Sequence, residues 1–132
     1  MCMRTKNLRK CKSGQVGYKI VTPINGETCS WYANKYVWKK GVNIAWGPEN
    51  RHRIICEKPD GIFHCFSRKK DAKRFCDCEN KNRVTVDFEY KLIKIILTGK
   101  VFKGKINEMG KTFDNLPAIC GSKAIWDGKF IN

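Results

Sequence analysis

Trp31, Tyr32, Tyr36, Trp38 and Trp46 are interleaved in this chain with Lys35, Lys39, Lys40, Arg51 and Arg53. Aromatic faces stack bases while neighbouring cations neutralise phosphates, so the mixture suits a nucleotide or a single-stranded nucleic acid. Stacking one base on one ring is worth ~1–3 kcal/mol and tolerates any base. Trp38 is expected in the core, the usual place of a lone aromatic. That leaves Tyr36 and Trp46 to stack a base, with Tyr32 also available, and Arg51 and Arg53 to hold phosphate. A second anion site is expected where Ser67 opens a helix, because free N–H groups and the helix dipole attract phosphate. Arg68, Lys69 and Lys73 would add their charge there. His64 stands just before this point. It reads either as a ligand contact or general base beside Ser67 and Arg68, or as a half-buried histidine bonded to a neighbouring strand, the commoner fate. His52, between Arg51 and Arg53, reads as part of an exposed basic cluster.

The whole chain shares this bias, with 27 Lys and Arg against 12 Asp and Glu, or +15 on 132 residues. Such an excess repels itself and concentrates anions, so it points to a phosphate-rich partner, nucleotide or nucleic acid. No Gly-x-Ser-x-Gly, phosphate-binding loop, HExxH or dinucleotide fingerprint occurs, so binding without catalysis or a cofactor is expected. The eight cysteines, Cys2, Cys11, Cys29, Cys56, Cys65, Cys76, Cys78 and Cys120, include no CxxC pair. His64-Cys65 with Cys76 and Cys78 is the one local cluster, and it lacks the paired spacing of a zinc site. No metal is expected, and the thiols read as small buried hydrophobes. Cys76 and Cys78 lie on a basic helix that would favour their thiolates, although Cys76 is expected to face the core. No apolar run reaches the ~18 residues that span a bilayer. The basic first residues lead into no apolar stretch of the secretory kind, so a cytoplasmic protein with reduced thiols and no membrane partner is expected.

These residues must be positioned by short elements. Residues 1–15 read as a loosely packed basic arm, and residues 16–132 as a single domain. Strand patterning marks residues 16–21, and Asn25-Gly26 marks a tight hairpin leading to a return strand over 27–32. Further strands are expected over 36–41 and 51–57, followed by a compact apolar run over 62–66. The helix is expected over 67–79, with Ala72, Phe75 and Cys76 on one buried stripe. Alternation at Val84, Val86 and Phe88 marks a strand, and 92–97 is the most strand-like segment of all. A basic, glycine-punctuated stretch over 99–105, a turn over 114–117 and a short strand over 124–126 follow. The sum is an α+β domain: a largely antiparallel sheet of about six to eight short strands with one main helix.

Met1-Cys2, the strand at 16–21, Gly61-Ile62-Phe63-His64-Cys65-Phe66 and Asp71-Ala72-Lys73 occur in one order. In this the chain resembles a family of small bacteriophage and prophage accessory proteins of uncharacterised role. One extra residue between Gly61 and His64, and a 38–58 region rich in Trp and Arg, depart from the family pattern. The resemblance implies a phage-encoded accessory protein working in an infected bacterium. Small phage accessory proteins often counter host defence, and some act as sponges for a nucleotide signal. The leading expectation is such an anti-defence protein, sequestering a nucleotide immune signal as an oligomer with pockets between subunits. The alternative is a DNA- or RNA-binding accessory protein using residues 4–12 and 100–111 on a longer polyanion. A third is a protein–protein inhibitor of an acidic host nuclease.

Overall fold

The computed structural model describes residues 4–30, 36–45, 62–82, 89–107 and 109–131. The expected strands over 51–57 and 84–88 lie outside the described residues.

Among the described residues eight strands join one antiparallel sheet: β1 (Arg4–Cys11), β2 (Gln15–Ile24), β3 (Glu27–Ser30), β4 (Val37–Trp38), β5 (Gly41–Ile44), β6 (Phe63–Phe66), β7 (Lys91–Asn107) and β8 (Pro117–Trp126). The one helix among the described residues, α1 (Lys69–Asn82), lies between β6 and β7 in the chain. The fold is therefore mostly sheet, and α+β describes it only loosely. No helix among the described residues is long and apolar enough to cross a membrane.

The hairpin of β2 and β3 turns at Asn25 and Gly26, whose φ angles of 52° and 80° are those of a tight primed turn. The long strand β7 organises the rest. Its first half pairs with β2 and with the end of β8, and its second half pairs with β1 and the start of β8. A bulge between Thr98 and Val101 divides the halves, and Gly99 supplies the positive φ of 74° there. The glycine-punctuated stretch over 99–105 is thus strand, continuous with 92–97. The expected basic arm is also corrected: residues 4–11 form β1, held by β7 from Arg4↔Asn107 to Cys11↔Val101.

The ladders β2–β7, β7–β8, β8–β6 and β6–β2 make a closed circuit. Its weakest link is β6–β2, a single pair at Tyr18↔Phe66, reinforced where Lys19 Nζ donates to the His64 carbonyl at 2.9 Å. Strand period two sends alternate residues to two cores. Val21, Ile93, Ile95, Leu97, Cys65, Ile119 and Trp126 enclose one, with the Trp38 ring against Phe63 at a 37° tilt. Ile20, Leu92, Phe66 and Ala118 form the other, covered by Ala72, Phe75 and Cys76 of α1. Trp38 is buried, its indole Nε1 donating to Ser30 Oγ at 2.8 Å.

Gly17 and Gly121 leave room for Leu97. A Cβ on Gly17 would lie 3.1 Å from Cys65, Ile119 and Leu97 atoms, and one on Gly121 would lie 2.9 Å from Leu97 Cβ. Gly17→Val is expected to destabilise the protein by about 1–3 kcal/mol through overpacking. Urea midpoints of the two proteins check this, and an unchanged midpoint would refute the packing account.

Candidate anion-binding face

Antiparallel partners share a face, so the register can be read across four strands as rows. Phe63, Gly121, Val101 and Cys11 form one row, and Cys65, Ile119, Lys103 and Arg9 the next. A third continues from Ser67, whose N–H donates to the Pro117 carbonyl at 3.1 Å, through Lys105 to Lys6. The first row is core. In the second, Cys65 and Ile119 are buried while Lys103 and Arg9 are exposed, and in the third Lys105 is exposed. One face of the sheet therefore passes diagonally from apolar core into a cationic apron.

The apron opposes like charges. Lys6 faces Lys105, and Arg9 faces Lys103, on either side of a β1 bulge where Asn7 takes a φ of 57°. Like charges directly opposite on a ladder are destabilising. Among the described residues none of these four cations joins an ion pair. An open groove of about 650 Å³ lies here, lined by Asn7, Arg9, Ser67, Lys103, Lys105 and Asn115 with no carboxylate among its lining residues. The turn that presents Asn115 is held by Asp114 Oδ1, which accepts from Met109 N at 2.7 Å.

The residues expected to bind ligand are distributed otherwise. Ser67 lines the groove, but it does not cap the helix. Arg68 takes that place, its carbonyl accepting the first helical bond from Ala72 N at 3.2 Å. The Arg68 Nε also donates to Asp71 at 2.7 Å, and Lys73 pairs with Asp77 at 3.5 Å. Lys69 is exposed on the same helix. Tyr36 packs edge-on against Trp38 and Phe63, with centroids 5.3 and 5.1 Å away. It thus adjoins the first core, whereas α1 covers the second, on the other face of the sheet. The structure does not bring Tyr36 and the helix cations together. Arg51, Arg53 and Trp46 lie outside the described residues, as do Trp31, Tyr32, Lys35 and His52.

His64 is 7% exposed, its Nδ1 lying 3.0 Å from Thr5 Oγ1 and 3.6 Å from Cys120 Sγ. Burial, helped by the Lys19 ammonium, pushes its pKa down to about 3, so the ring is neutral and internal. Cys76 faces the core, and burial pushes its thiol up to about 11, against the expected thiolate. Burial likewise raises Cys65 to about 11 and Cys120 to about 12. No group of three or more His, Cys, Asp or Glu side chains among the described residues is placed to hold a metal ion. Motifs do not single out the cations of β1 and β7. Their signal was the period-two spacing of Lys103 and Lys105, which puts both on one side of a strand.

No protein-family model, curated protein or solved structure matches this chain.

Proposed function

We propose that this protein binds the phosphate backbone of a nucleic acid on the apron of Lys6, Arg9, Lys103 and Lys105. The observation that carries the reading is the pair of opposed like-charge partners beside a groove without acids. A fold tolerates such pairs at a cost in stability, and a bound polyanion removes that cost. The groove lining holds no aromatic side chain, so recognition rests on phosphate and not on bases. The reading favours the two basic stretches, 4–12 and 100–111, over the nucleotide pocket built on Tyr36 and α1. It corresponds to the alternative expectation above, a DNA- or RNA-binding accessory protein.

Fluorescence anisotropy on a labelled mixed-sequence duplex and its single strand tests this. Four phosphate contacts give a slope of log K on log salt of about −3.6 for the duplex, or roughly a hundredfold loss between 50 and 200 mM salt. Base composition should matter little. A flat salt response, or equally tight binding of a cyclic dinucleotide, would overturn the proposal, and the second result would restore the nucleotide pocket.

A further inference from the structure

The register lines up four apolar side chains across four strands: Val16 on β2, Ile96 on β7, Ile125 on β8 and Val42 on β5. All four point to one side, because cross-strand partners do. Their chain neighbours Ile95, Leu97, Ala124, Trp126 and Asn43 point the other way and are buried. The line belongs to neither core. Val42 is 62% exposed, Ile125 is 42% exposed, and Ile44, next on the same side of β5, is 52% exposed, while Val16 and Ile96 are half-buried. Three strand spacings make the line ~14 Å long. Single apolar residues on a surface need no explanation, whereas a contiguous apolar line that is exposed at its β8–β5 end and half-buried at its β2–β7 end marks an interaction site.

Lysines border it on both sides. Lys94 precedes Ile96 by two residues on β7, and Lys123 precedes Ile125 by two on the antiparallel β8, so they flank opposite edges. Both are exposed. Asp127, just past the end of β8, accepts a hydrogen bond from Lys129 N at 2.9 Å. A second copy laid on this line by a two-fold axis would set lysine against lysine, on a chain already carrying +15. The flanking lysines stand two residues, or ~6–7 Å, from the line. That offset matches the half-width of an α-helix, whose diameter with side chains is ~10–12 Å, and about three helical turns cover the length.

We propose that this line docks an acidic amphipathic helix of another protein, its apolar ridge on Val16, Ile96, Ile125 and Val42 and its carboxylates on Lys94 and Lys123. The site is separate from the cationic apron and does not depend on it. The probe is a synthetic leucine-ridged helix flanked by glutamates, with a lysine-flanked twin, titrated into the full chain with methyl-labelled Val and Ile. The glutamate peptide is expected to shift the methyls of those four residues. Val42→Lys with Ile125→Lys should weaken it tenfold or more. Lys94→Glu with Lys123→Glu should reverse the preference toward the lysine peptide, and all these positions are exposed enough for thermal melts to confirm folding. Absence of methyl shifts, equal binding of both peptides, or no reversal in the charge-swapped variant would overturn the proposal. So would self-association that disappears on changing Ile125, or duplex DNA shifting the same methyls.

Discussion

Replacing Lys103 and Lys105 together by glutamate is expected to weaken duplex binding by about a hundredfold while raising the melting temperature. Two effects of opposite sign come from one geometry. Each substitution turns a repulsive cross-strand pair into an attractive one, Arg9 opposite residue 103 and Lys6 opposite residue 105. Such pairs are worth roughly 0.2–1 kcal/mol each relative to neutral partners. The variant therefore gains about 1–2 kcal/mol, or several degrees for a domain of this size. Binding loses two phosphate contacts and acquires two repulsive ones. The salt slope should fall by about half or more, since it counts the contacts made. Lys69→Glu with Lys73→Glu changes the net charge equally and serves as the control. If both double variants lose affinity alike, binding follows overall charge and the apron has no special role.

The same pairs show what could be read from the residues and what could not. The Asn25-Gly26 hairpin and the 92–97 strand were legible because each is specified locally, by positive φ angles and by apolar alternation. Strand β1 was not legible. Its sequence holds one large apolar residue, Leu8, among Arg4, Lys6, Arg9 and Lys10, and nothing local favours a strand there. It becomes a strand because the second half of β7 offers an open edge, with Thr5 turning inward to His64. The site shares this history. Lys103 and Lys105 announced a cationic strand face, but their opposition to Arg9 and Lys6 is a matter of register across about a hundred positions of sequence. Tyr36 misled for the converse reason. Lys35, Lys39 and Lys40 lie close to it in the chain, while the groups it packs against, Trp38 and Phe63, are rings. Ser67 has the favoured chemistry of a helix cap, yet its N–H is drawn to Pro117 and the helix starts one residue later.

Acid should unfold this protein by way of His64. The folded state holds the ring neutral, with a pKa pushed from 6.5 down to about 3 by burial and then by Lys19. The unfolded chain takes up a proton near 6.5, so between these two values it binds the extra proton and acidification favours it. Stability is complete above about pH 6.5 and is lost as the pH falls toward 3. Each unit of the window is worth ~1.36 kcal/mol, so the loss reaches about 3 kcal/mol at pH 4. That is a large share of the ~5–15 kcal/mol that holds an ordinary domain together. Cys65 and Cys120 take no part, since both thiols are protonated throughout this range. His64→Asn keeps a polar group for Thr5 and removes the titration. The variant is expected to be less stable at neutral pH, by about 1–3 kcal/mol, through lost packing and a weaker hydrogen bond. Between pH 7 and 4, however, it should lose about 3 kcal/mol less than the parent, so the two stabilities converge or cross. Denaturant midpoints at several pH values measure this, and parallel acid limbs would show that His64 is not the group responsible. The carboxylates titrate alike in both proteins and cancel in the difference, which leaves the buried imidazole as the one term the comparison reads.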